Sequence, residues 1–414
     1  MSDRRVREQG DSDESVAVIW SDDYLKYDLG GDHPMHPVRI DLTMRLARDL
    51  GVLDRPGVSL HTPTPATEQQ LLRVHNERYL AAVREAPVQP WGIGHGLGTD
   101  DNPIFWGMYE SAAMIAGGTR LAAELVWDGT VKHAVNIGGG MHHAMPGSAA
   151  GFCIFNDLTV AIADLLERGA KRVAYVDVDV HHGDGVQAAF YNDPRVLTIS
   201  VHQSPLSLWP HTGFPSEVGR DDAVGTAVNV ALPAETSDGQ WLSAFEATVP
   251  SLLRAFNPEI IVTQCGCDTH HEDPLADLAL TVDGQDAIYG RLHELAHELC
   301  DGKWVATGGG GYGLVRAVPR SWTHLLARAS GSPIDPDAEI PQAWLDELAQ
   351  AKLPDFMPRG SGYATPPPRM GEGARIDLQP WNGSADDSPL HRAIYAARHA
   401  SFPLAGLDPA DPRD

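Results

Sequence analysis

Short runs of apolar and β-branched residues alternate with helix-like segments along most of the chain. The runs are predicted strands, and they are apolar at most positions rather than at every second one. Strands of this kind are buried on both faces, which is typical of a parallel sheet between two layers of helices. The predicted strands cover residues 16–20, 131–137, 173–180, 196–202, 226–232, 260–264 and 304–307.

Helix-like segments separate the predicted strands. Asn156 is a predicted N-cap, and Gly169 follows the end of the same helix. Pro250 falls inside another predicted helix, where a proline removes a backbone hydrogen bond, so we expect a kink or a break there. The predicted helices cover residues 40–50, 67–84, 106–125, 156–168, 185–191, 241–256 and 284–300, with a last one that ends near 328.

The composition of the chain limits its partners and its location. A formal net charge of −25 over 414 residues disfavours direct binding to nucleic acids or to anionic membranes. No stretch approaches the ~20 uninterrupted apolar residues that a membrane-spanning helix needs. Four cysteines in so long a chain do not make a disulfide framework, so we expect reduced thiols and a cytoplasmic location.

The sequence predicts one large domain with two flanking segments. Residues 1–15 are charged and lack the apolar core of a signal peptide, so we expect a disordered tail. Residues 16–329 contain the alternating strands and helices and form the predicted catalytic domain. Residues 330–414 are rich in proline and acidic residues, with one short helix predicted near 342–351. We expect this extension to pack on the domain or to trail from it.

The predicted strand 173–180 contains charged residues within a buried run. Side chains two positions apart in a strand point the same way, so Asp177, Asp179 and His181 are expected on one face. Buried carboxylates are costly unless they are compensated, and a divalent cation that binds aspartate oxygen and histidine nitrogen is the simplest compensation. Asp268, which follows the strand 260–264, is the best candidate for a third ligand.

Polar groups follow other predicted strands as well. His142 and His143 come after three glycines, and the pKa of an imidazole suits proton transfer. Tyr312 lies in a glycine run after the strand 304–307, from which its hydroxyl can approach a carbonyl at the metal. The same run matches the G-x-G-x-x-G dinucleotide pattern, but it comes near the end of the fold and lacks the acid expected ~20 residues later. Because ligands gather at the carboxyl ends of parallel strands, we expect one shared site.

These motifs resemble those of the zinc-dependent histone deacetylase superfamily, which includes bacterial acetoin-utilization deacetylases and acetylpolyamine amidohydrolases. The resemblance covers roughly residues 16–328, and within the superfamily the chain is most similar to the acetoin-utilization type. It implies an arginase/deacetylase fold, an α/β fold with three αβα layers and a central, mostly parallel sheet of about eight strands. The segments that carry the resemblance to the superfamily are 31–39, 138–143, 151–157, 177–185, Asp268 and 308–312. The segments that indicate the acetoin-utilization type are 98–103, 273–278 and the long C-terminal extension.

The resemblance also implies a metal and a set of catalytic residues. The metal would be Zn²⁺, or alternatively Fe²⁺, on three ligands: Asp179, His181 and Asp268. His143 would act as general base and then general acid, and His142 would assist it electrostatically. Asp177 and Asp184 would orient the two rings. Tyr312 would donate a hydrogen bond to the developing oxyanion.

Further residues are implied around the metal. Those of the substrate channel are Phe152, Trp209, Asp101, Gly151 and Gly310, with Asp100 as an alternative to Asp101 at the rim. Arg39 would line an internal exit for acetate. A structural K⁺ or Na⁺ would bind near the metal, through residues Asp177, Asp179, His181, Ser200 and Val201. Trp209 stands where relatives usually have phenylalanine and His211 where they usually have glycine, which bears on the range of substrates.

The activity implied by the resemblance is hydrolysis of acetyl-lysine in proteins, with acetyl-CoA synthetase as the foremost partner among metabolic enzymes. An acetylpolyamine amidohydrolase is an alternative that would suit the acidic surface. A non-catalytic acetyl-lysine binding protein is a second alternative, although it would be expected to have lost some of the catalytic residues. A two-metal ureohydrolase is a third, and it would need a second cluster of carboxylates. The oligomeric state stays open.

Overall fold

A parallel sheet forms the centre of the molecule in a computed structural model that describes residues 15–354, 362–385 and 388–414. The strands within these residues are β1 (Val16–Ile19), β2 (Val58–His61), β3 (His133–Asn136), β4 (Val173–Asp177), β5 (Val196–Gln203), β6 (Ala227–Leu232), β7 (Ile260–Gln264) and β8 (Trp304–Thr307). They form one eight-stranded sheet in the order β2-β1-β3-β8-β7-β4-β5-β6, in which all neighbours are parallel. The predicted mostly parallel sheet of about eight strands is confirmed. The predicted disordered segment 1–15 lies outside the described residues except for Ser15.

Helices cover both faces of the sheet. Those within the described residues are α1 (Val38–Asp49), α2 (Glu68–Leu71), α3 (Glu77–Glu85), α4 (Met108–Trp127), α5 (Asp157–Glu167), α6 (Asp184–Phe190), α7 (Asp238–Glu246), α8 (Val249–Phe256), α9 (Val282–Cys300), α10 (Val318–Ala329), α11 (Gln342–Gln350) and α12 (Pro389–Ser401). Helices α4, α5 and α6 pack on one face, and α1, α9 and α10 lie on the other. The three-layer αβα architecture follows from this arrangement.

Successive residues of the central strands pack into two separate cores, one on each side of the sheet. In β4, Val173 and Tyr175 join one core, whereas Ala174 and Val176 join the other. The same alternation occurs in β7, where every residue is buried. Because both faces exclude water, β4 and β7 carry apolar residues on both of their faces. The carboxyl ends of the strands then gather the polar residues at one edge of the sheet.

Three segments differ from the sequence prediction. Strand β2 was not predicted because it is an edge strand whose middle residues are exposed, so it lacks an apolar run. The single helix predicted over residues 67–84 is two helices, α2 and α3. Between them His75 turns inward, where its Nε2 accepts a hydrogen bond from the backbone N–H of Asn156 at 3.0 Å. Helix α12 was also not predicted. The break predicted at Pro250 is confirmed, since this residue lies in the first turn of α8.

Two other sequence expectations concern cysteines and membrane spans. All four cysteines are buried with free thiols, which confirms that they do not form a disulfide framework. Across the described parts of the chain, no helix combines the length and the apolar character that a membrane crossing requires.

Residues beyond 330 pack against the sheet and its helices at several places. The predicted helix near 342–351 is confirmed as α11, and its Trp344 is buried, with Nε1 donating to the carbonyl of Leu42 at 2.9 Å. The Glu372 carboxylate lies 2.6 Å from the guanidinium of Arg320 on α10. Helix α12 packs against the edge strand β6. The Pro-rich stretch 354–368 lies partly outside the described residues.

We propose that residues 330–414 form a packed extension of the domain, and we expect Trp344→Ala to lower the free energy of unfolding by about 3–5 kcal/mol. The reason is the cavity that remains when a buried indole, 1% exposed, is removed together with its hydrogen bond. Denaturant unfolding measures the change. Trp106→Ala is the matched control because Trp106 is 79% exposed, so its effect should stay within about 0.5 kcal/mol. Equal effects of the two substitutions would contradict the packing of α11 on the domain through Trp344.

Candidate active site

The chain turns sharply at the end of β4, and this turn brings the central acidic residues together. The prediction that 173–180 is one strand is wrong at its end, because β4 stops at Asp177. The next residues form turns in which the backbone N–H of Asp179 donates to Asp177 Oδ1 at 3.2 Å and that of His181 donates to Asp179 Oδ1 at 2.9 Å. Side chains capture the N–H groups that a sheet would have used. Strand alternation therefore does not explain how Asp179 and His181 are placed.

Asp179, His181 and Asp268 nevertheless form a compact group. Each offers one ligand atom, and these atoms all lie within 4.8 Å of one another. The Nδ1 of His181 is 3.1 Å from Asp179 Oδ1 and 3.1 Å from Asp268 Oδ2. Both carboxylate residues are fully buried, and the His181 side chain is 11% exposed. The backbone N–H of Val180, just after β4, donates to Asp268 Oδ1 at 2.9 Å and so fixes that carboxylate.

The chemistry of this group fits a divalent transition metal. Two buried carboxylates side by side are unfavourable without a cation between them. Burial, and then the negative charge of Asp179, raise the pKa of Asp268 to about 6. Two carboxylate oxygens and one imidazole nitrogen leave further coordination positions for water and substrate, as catalytic metal sites require.

Two histidine–aspartate pairs lie beside this group. His142 Nδ1 is 2.8 Å from Asp177 Oδ2, and His143 Nδ1 is 2.7 Å from Asp184 Oδ1. A carboxylate only accepts hydrogen bonds, so each Nδ1 carries the hydrogen. The Nε2 atom of each ring takes no part in this pairing. The two rings lie 3.9 Å apart between centroids, and both histidines are buried. Asp177 also accepts a hydrogen bond from the hydroxyl of Tyr175 at 2.5 Å.

The environment separates the protonation states of the two imidazoles. Burial alone would lower the pKa of His142, but the carboxylates of Asp177 and Asp179 outweigh it and raise that pKa to about 9. Burial, followed by the positive charges of His142 and His181, holds the pKa of His143 well below its usual value. Two adjacent imidazoles repel each other when both are charged, so one ring keeps its extra proton and the other stays neutral. The pair thus offers one charged and one neutral imidazole, and the neutral ring of His143 can accept a proton.

Tyr312 lies near the carboxylates of the same group, Asp268 and Asp179. Its backbone N–H donates to Asp273 Oδ2 at 2.8 Å, and its ring lies edge-on to Phe152 with centroids 5.7 Å apart. Burial, and then the nearby Asp268 carboxylate, raise the pKa of the phenol well above its usual value. The hydroxyl therefore keeps its proton and can act as a hydrogen-bond donor.

Glycines after β8 let the backbone lie directly on the acidic group. The N–H of Gly310 donates to Asp179 Oδ2 at 2.8 Å, and Gln264 Nε2 donates to the same oxygen at 2.7 Å. A Cβ at Gly310 would overlap the Asp268 carboxylate, and one at Gly309 would overlap the Gln264 amide. Gly309 and Gly310 thus form a floor that holds no side chains.

A cleft of about 310 Å³ leads from the surface to this floor. Leu208, Phe152 and Trp209 form apolar parts of its wall, and the Trp209 ring lies 4.6 Å from that of His143 between centroids. Of the two rim alternatives, Asp101 lines this cleft, whereas Asp100 lines only the neighbouring surface depression. The predicted site residues that line the cleft are Asp101, His142, His143, Gly151, Phe152, Asp179, His181, Trp209, Gly310 and Tyr312.

The remaining predicted residues lie around the cleft. Arg39 is buried, and its Nη1 donates to the carbonyl of Gly309 at 2.6 Å, so its guanidinium lies behind the floor. Ser200 pairs with Asp177 across β4 and β5, with Val201 next to it. The Ser200 hydroxyl is 2.8 Å from His202 Nδ1 and accepts from the N–H of Gly183 at 3.4 Å. The acetate exit and the monovalent cation site stay predictions.

Sequence reasoning missed three residues that position the site: Tyr175, Gln264 and Asp273. Tyr175 and Gln264 lie in buried strands, and their position in the sequence indicates only that they belong to the sheet. Gln264 had a signal, because an amide at the end of an otherwise apolar strand needs partners. Asp273 lies in the segment 273–278, which the sequence marks only by its resemblance to relatives.

The comparisons with known proteins agree with this geometry. The model of the histone deacetylase domain matches residues 33–329, which is more than half of the chain. The chain belongs to the histone deacetylase family. It is 38% identical over 389 residues to the acetoin utilization protein AcuC of Bacillus subtilis, covering 92% of this chain and 97% of that protein. It is 34% identical over 336 residues to AcuC of Staphylococcus aureus, covering 80% and 86% respectively.

Solved structures of histone deacetylase homologues have the same fold. A homologue complexed with SAHA gives a TM-score of 0.80 at 29% identity, covering 93% of this chain and 100% of that one. A homologue from Aquifex aeolicus gives 0.79 at 29% identity with the same coverage. The protein is therefore a deacetylase, a hydrolase of a metal-dependent family, with the arginase/deacetylase fold. In the described residues, one group with metal-ligand spacing reaches the cleft, whereas a ureohydrolase would need two.

Proposed function

We propose that this protein hydrolyses the acetyl amide of acetyl-lysine in proteins and releases acetate. The observation that carries the proposal is a cleft with apolar walls that ends at Asp179 and His181. A lysine side chain is an apolar stem with a polar end, so Phe152 and Trp209 can cover its methylenes while the acetyl group reaches the floor. Asp101 at the rim can accept hydrogen bonds from the backbone of the substrate.

The residues of the cleft can divide the chemistry among them. A divalent cation on Asp179, His181 and Asp268 would polarise the acetyl carbonyl and make a water molecule more acidic. His143 would take the proton of that water at Nε2, because its Nδ1 is engaged by Asp184. The oxygen of that water would bond to the carbonyl carbon, and the same nitrogen would then protonate the lysine amine as the amide bond breaks, which leaves acetate.

Two other residues would stabilise the charge that develops. The Tyr312 hydroxyl would donate a hydrogen bond to the carbonyl oxygen as that oxygen becomes negative. His142, which keeps its proton beside Asp177, would supply a positive charge next to His143. Both groups are buried, so their interactions are only weakly screened by water.

The experiment compares two substrates on one metal-loaded preparation: an acetyl-lysine peptide and N-acetylputrescine. We expect a clear preference for the peptide in kcat/KM, loss of turnover with a chelator, and recovery when Zn²⁺ is returned. Recovery with Fe²⁺ to a higher rate would identify Fe²⁺ as the better metal. Equal turnover before and after complete metal removal would contradict the proposed ligands.

Acetylpolyamine hydrolysis is the second candidate, and it rests on charge. The net charge of −25 would attract a cationic polyamine, and Asp101 stands at the mouth of the cleft. A preference for N-acetylputrescine would keep the catalytic assignments and replace the substrate class.

For the protein substrate we propose a metabolic enzyme, acetyl-CoA synthetase first, because similar proteins carry names that refer to acetoin utilization. Acetylated acetyl-CoA synthetase should then react faster than an unrelated acetylated protein.

A further inference from the structure

Three histidines meet at the amino ends of the strands, on the side of the sheet opposite the cleft. His133 is the first residue of β3, and His293 and His297 belong to the last turns of α9. The spacing of four residues puts His293 and His297 on the same face of the helix. The cleft lies at the carboxyl ends of the strands, so this cluster, which we call the edge triad, is separated from it by the length of the sheet.

The ring nitrogens of the edge triad are spaced as metal ligands are. One nitrogen from each residue lies within 4.8 Å of the other two. The Nε2 atoms of His133 and His297 are 3.2 Å apart. Two nitrogens on a tetrahedral Zn²⁺ at 2.0–2.1 Å are separated by about 3.3 Å, so this distance already matches a shared ion.

The surroundings hold the rings of the edge triad in place. Trp304 of β8 lies behind the cluster, with centroids 5.8 Å from His133 and 5.9 Å from His293. Gly302 packs beside it, so that a Cβ there would come 3.0 Å from His297 Cε1. His133 is buried, His293 is partly buried and His297 is exposed. The exposure of His297 would let an ion reach the rings from solvent, and a water molecule would then serve as a further ligand.

The chemistry of the edge triad favours one class of ion. Neutral imidazole binds Zn²⁺, Ni²⁺ and Cu²⁺ well, whereas Ca²⁺ and Mg²⁺ prefer oxygen ligands. The carboxyl end of α9 adds a partial negative charge next to His297, which also favours a cation. The third cluster with metal-ligand spacing, His270, His271 and Glu372, is less suited, because the guanidinium of Arg320 already lies 2.6 Å from Glu372.

We propose that His133, His293 and His297 bind a divalent transition metal ion of the Zn²⁺ class in a structural site separate from the active site. The ion would join the start of β3 to the end of α9. It would therefore stabilise the fold without taking part in hydrolysis. The proposal does not depend on the function proposed for the cleft.

The experiment counts bound zinc in four proteins after removal of all metal and dialysis against Zn²⁺. These are the unaltered protein, Asp179→Ala, the double variant His293→Gln/His297→Gln, and the triple variant with all three changes. We expect about two, one, one and no equivalents respectively, because each substitution removes the ligands of one site only. The double variant should keep the deacetylase activity of the unaltered protein.

Two independent readouts accompany the count. Co²⁺ bound to the Asp179→Ala variant should give the strong visible absorption of a four-coordinate site, and the triple variant should lose it. Zn²⁺ should raise the Tm of Asp179→Ala but not that of the triple variant, since binding to the folded state alone stabilises it. His399→Gln is the matched control, because His399 is also an exposed histidine on a helix.

The four-protein design separates the possible failures. If the double variant and the unaltered protein bind equal amounts of zinc, the edge triad holds no metal and the proposal is wrong. If His399→Gln lowers the zinc count as much as the double variant does, the extra zinc is adventitious and the proposal is also wrong. Failure of the cleft ligands would instead appear as zinc that Asp179→Ala does not lose.

Discussion

Tyr312→Phe should lower kcat for deacetylation by about 10²–10³ while KM changes little, since loss of one oxyanion donor acts mainly in the transition state. The substitution removes only the hydroxyl. The ring keeps its edge-on contact with Phe152, and the backbone N–H keeps its hydrogen bond to Asp273. The fold of the cleft and the binding of the substrate should therefore persist. Steady-state kinetics on the acetyl-lysine peptide measure both constants.

The control for this substitution is Tyr363→Phe, which removes a hydroxyl from a tyrosine that is 63% exposed. It should leave both constants unchanged. A rise in KM with an unaltered kcat for Tyr312→Phe would assign this hydroxyl to substrate binding and exclude it from the chemical step. A loss of bound metal in the same variant would mean that the phenol supports the ligands instead.

Asp179→Ala should abolish deacetylation to the background of the assay, a loss of about 10³-fold or more, because metal stabilisation of the transition state is worth several kcal/mol. The substitution removes a ligand oxygen, and it also leaves the N–H of Gly310 and the amide of Gln264 without their shared acceptor. Activity and bound metal should fall together. Elemental analysis after desalting gives the metal content.

The zinc of the edge triad would obscure this result, so the measurement belongs in the His293→Gln/His297→Gln background. In that background the metal content should fall from about one equivalent to none. Asp222→Ala, which alters an exposed aspartate, is the matched control and should change neither quantity. A full equivalent of zinc in a folded Asp179→Ala protein would mean that other residues hold the metal.

The sheet could be predicted because its strands are buried on both faces. Val173–Asp177 and Ile260–Gln264 begin with consecutive apolar residues, and short runs of this kind are typical of strands in a buried parallel sheet. The order of the strands could not be predicted in the same way. Strand β8 lies between β3 and β7, and that pairing depends on contacts between distant parts of the chain. Strand β2 escaped prediction because exposure removes the apolar run.

The site was partly predictable because its residues follow strands. Asp268 and His143 come directly after apolar or glycine-rich segments, and this position alone indicates that they share one edge of the sheet. The alternation argument for Asp179 failed, because the carboxylate of Asp177 captures a backbone N–H and ends the strand. Gln264 was missed since nothing in a sequence shows which way an amide inside the sheet points.

The edge triad shows most clearly what a sequence alone cannot predict. His293 and His297 lie four residues apart in a predicted helix, which is a usable signal of a shared face. The third member, His133, comes from a strand some 160 positions earlier, and only the folded chain brings it to the helix.

The floor of the cleft and its mouth differ in how freely their residues can be substituted. No residue with a side chain fits at Gly309 or Gly310 without displacing Gln264 or Asp268, so these positions are closed to gradual change. The opposite wall has no such restriction, because Trp209 is 39% exposed and faces solvent at the mouth. Descendants of this enzyme can therefore acquire preferences for other substrate chains that carry the acetyl group by exchanging residues at the mouth. The hydrolytic machinery below would be inherited intact.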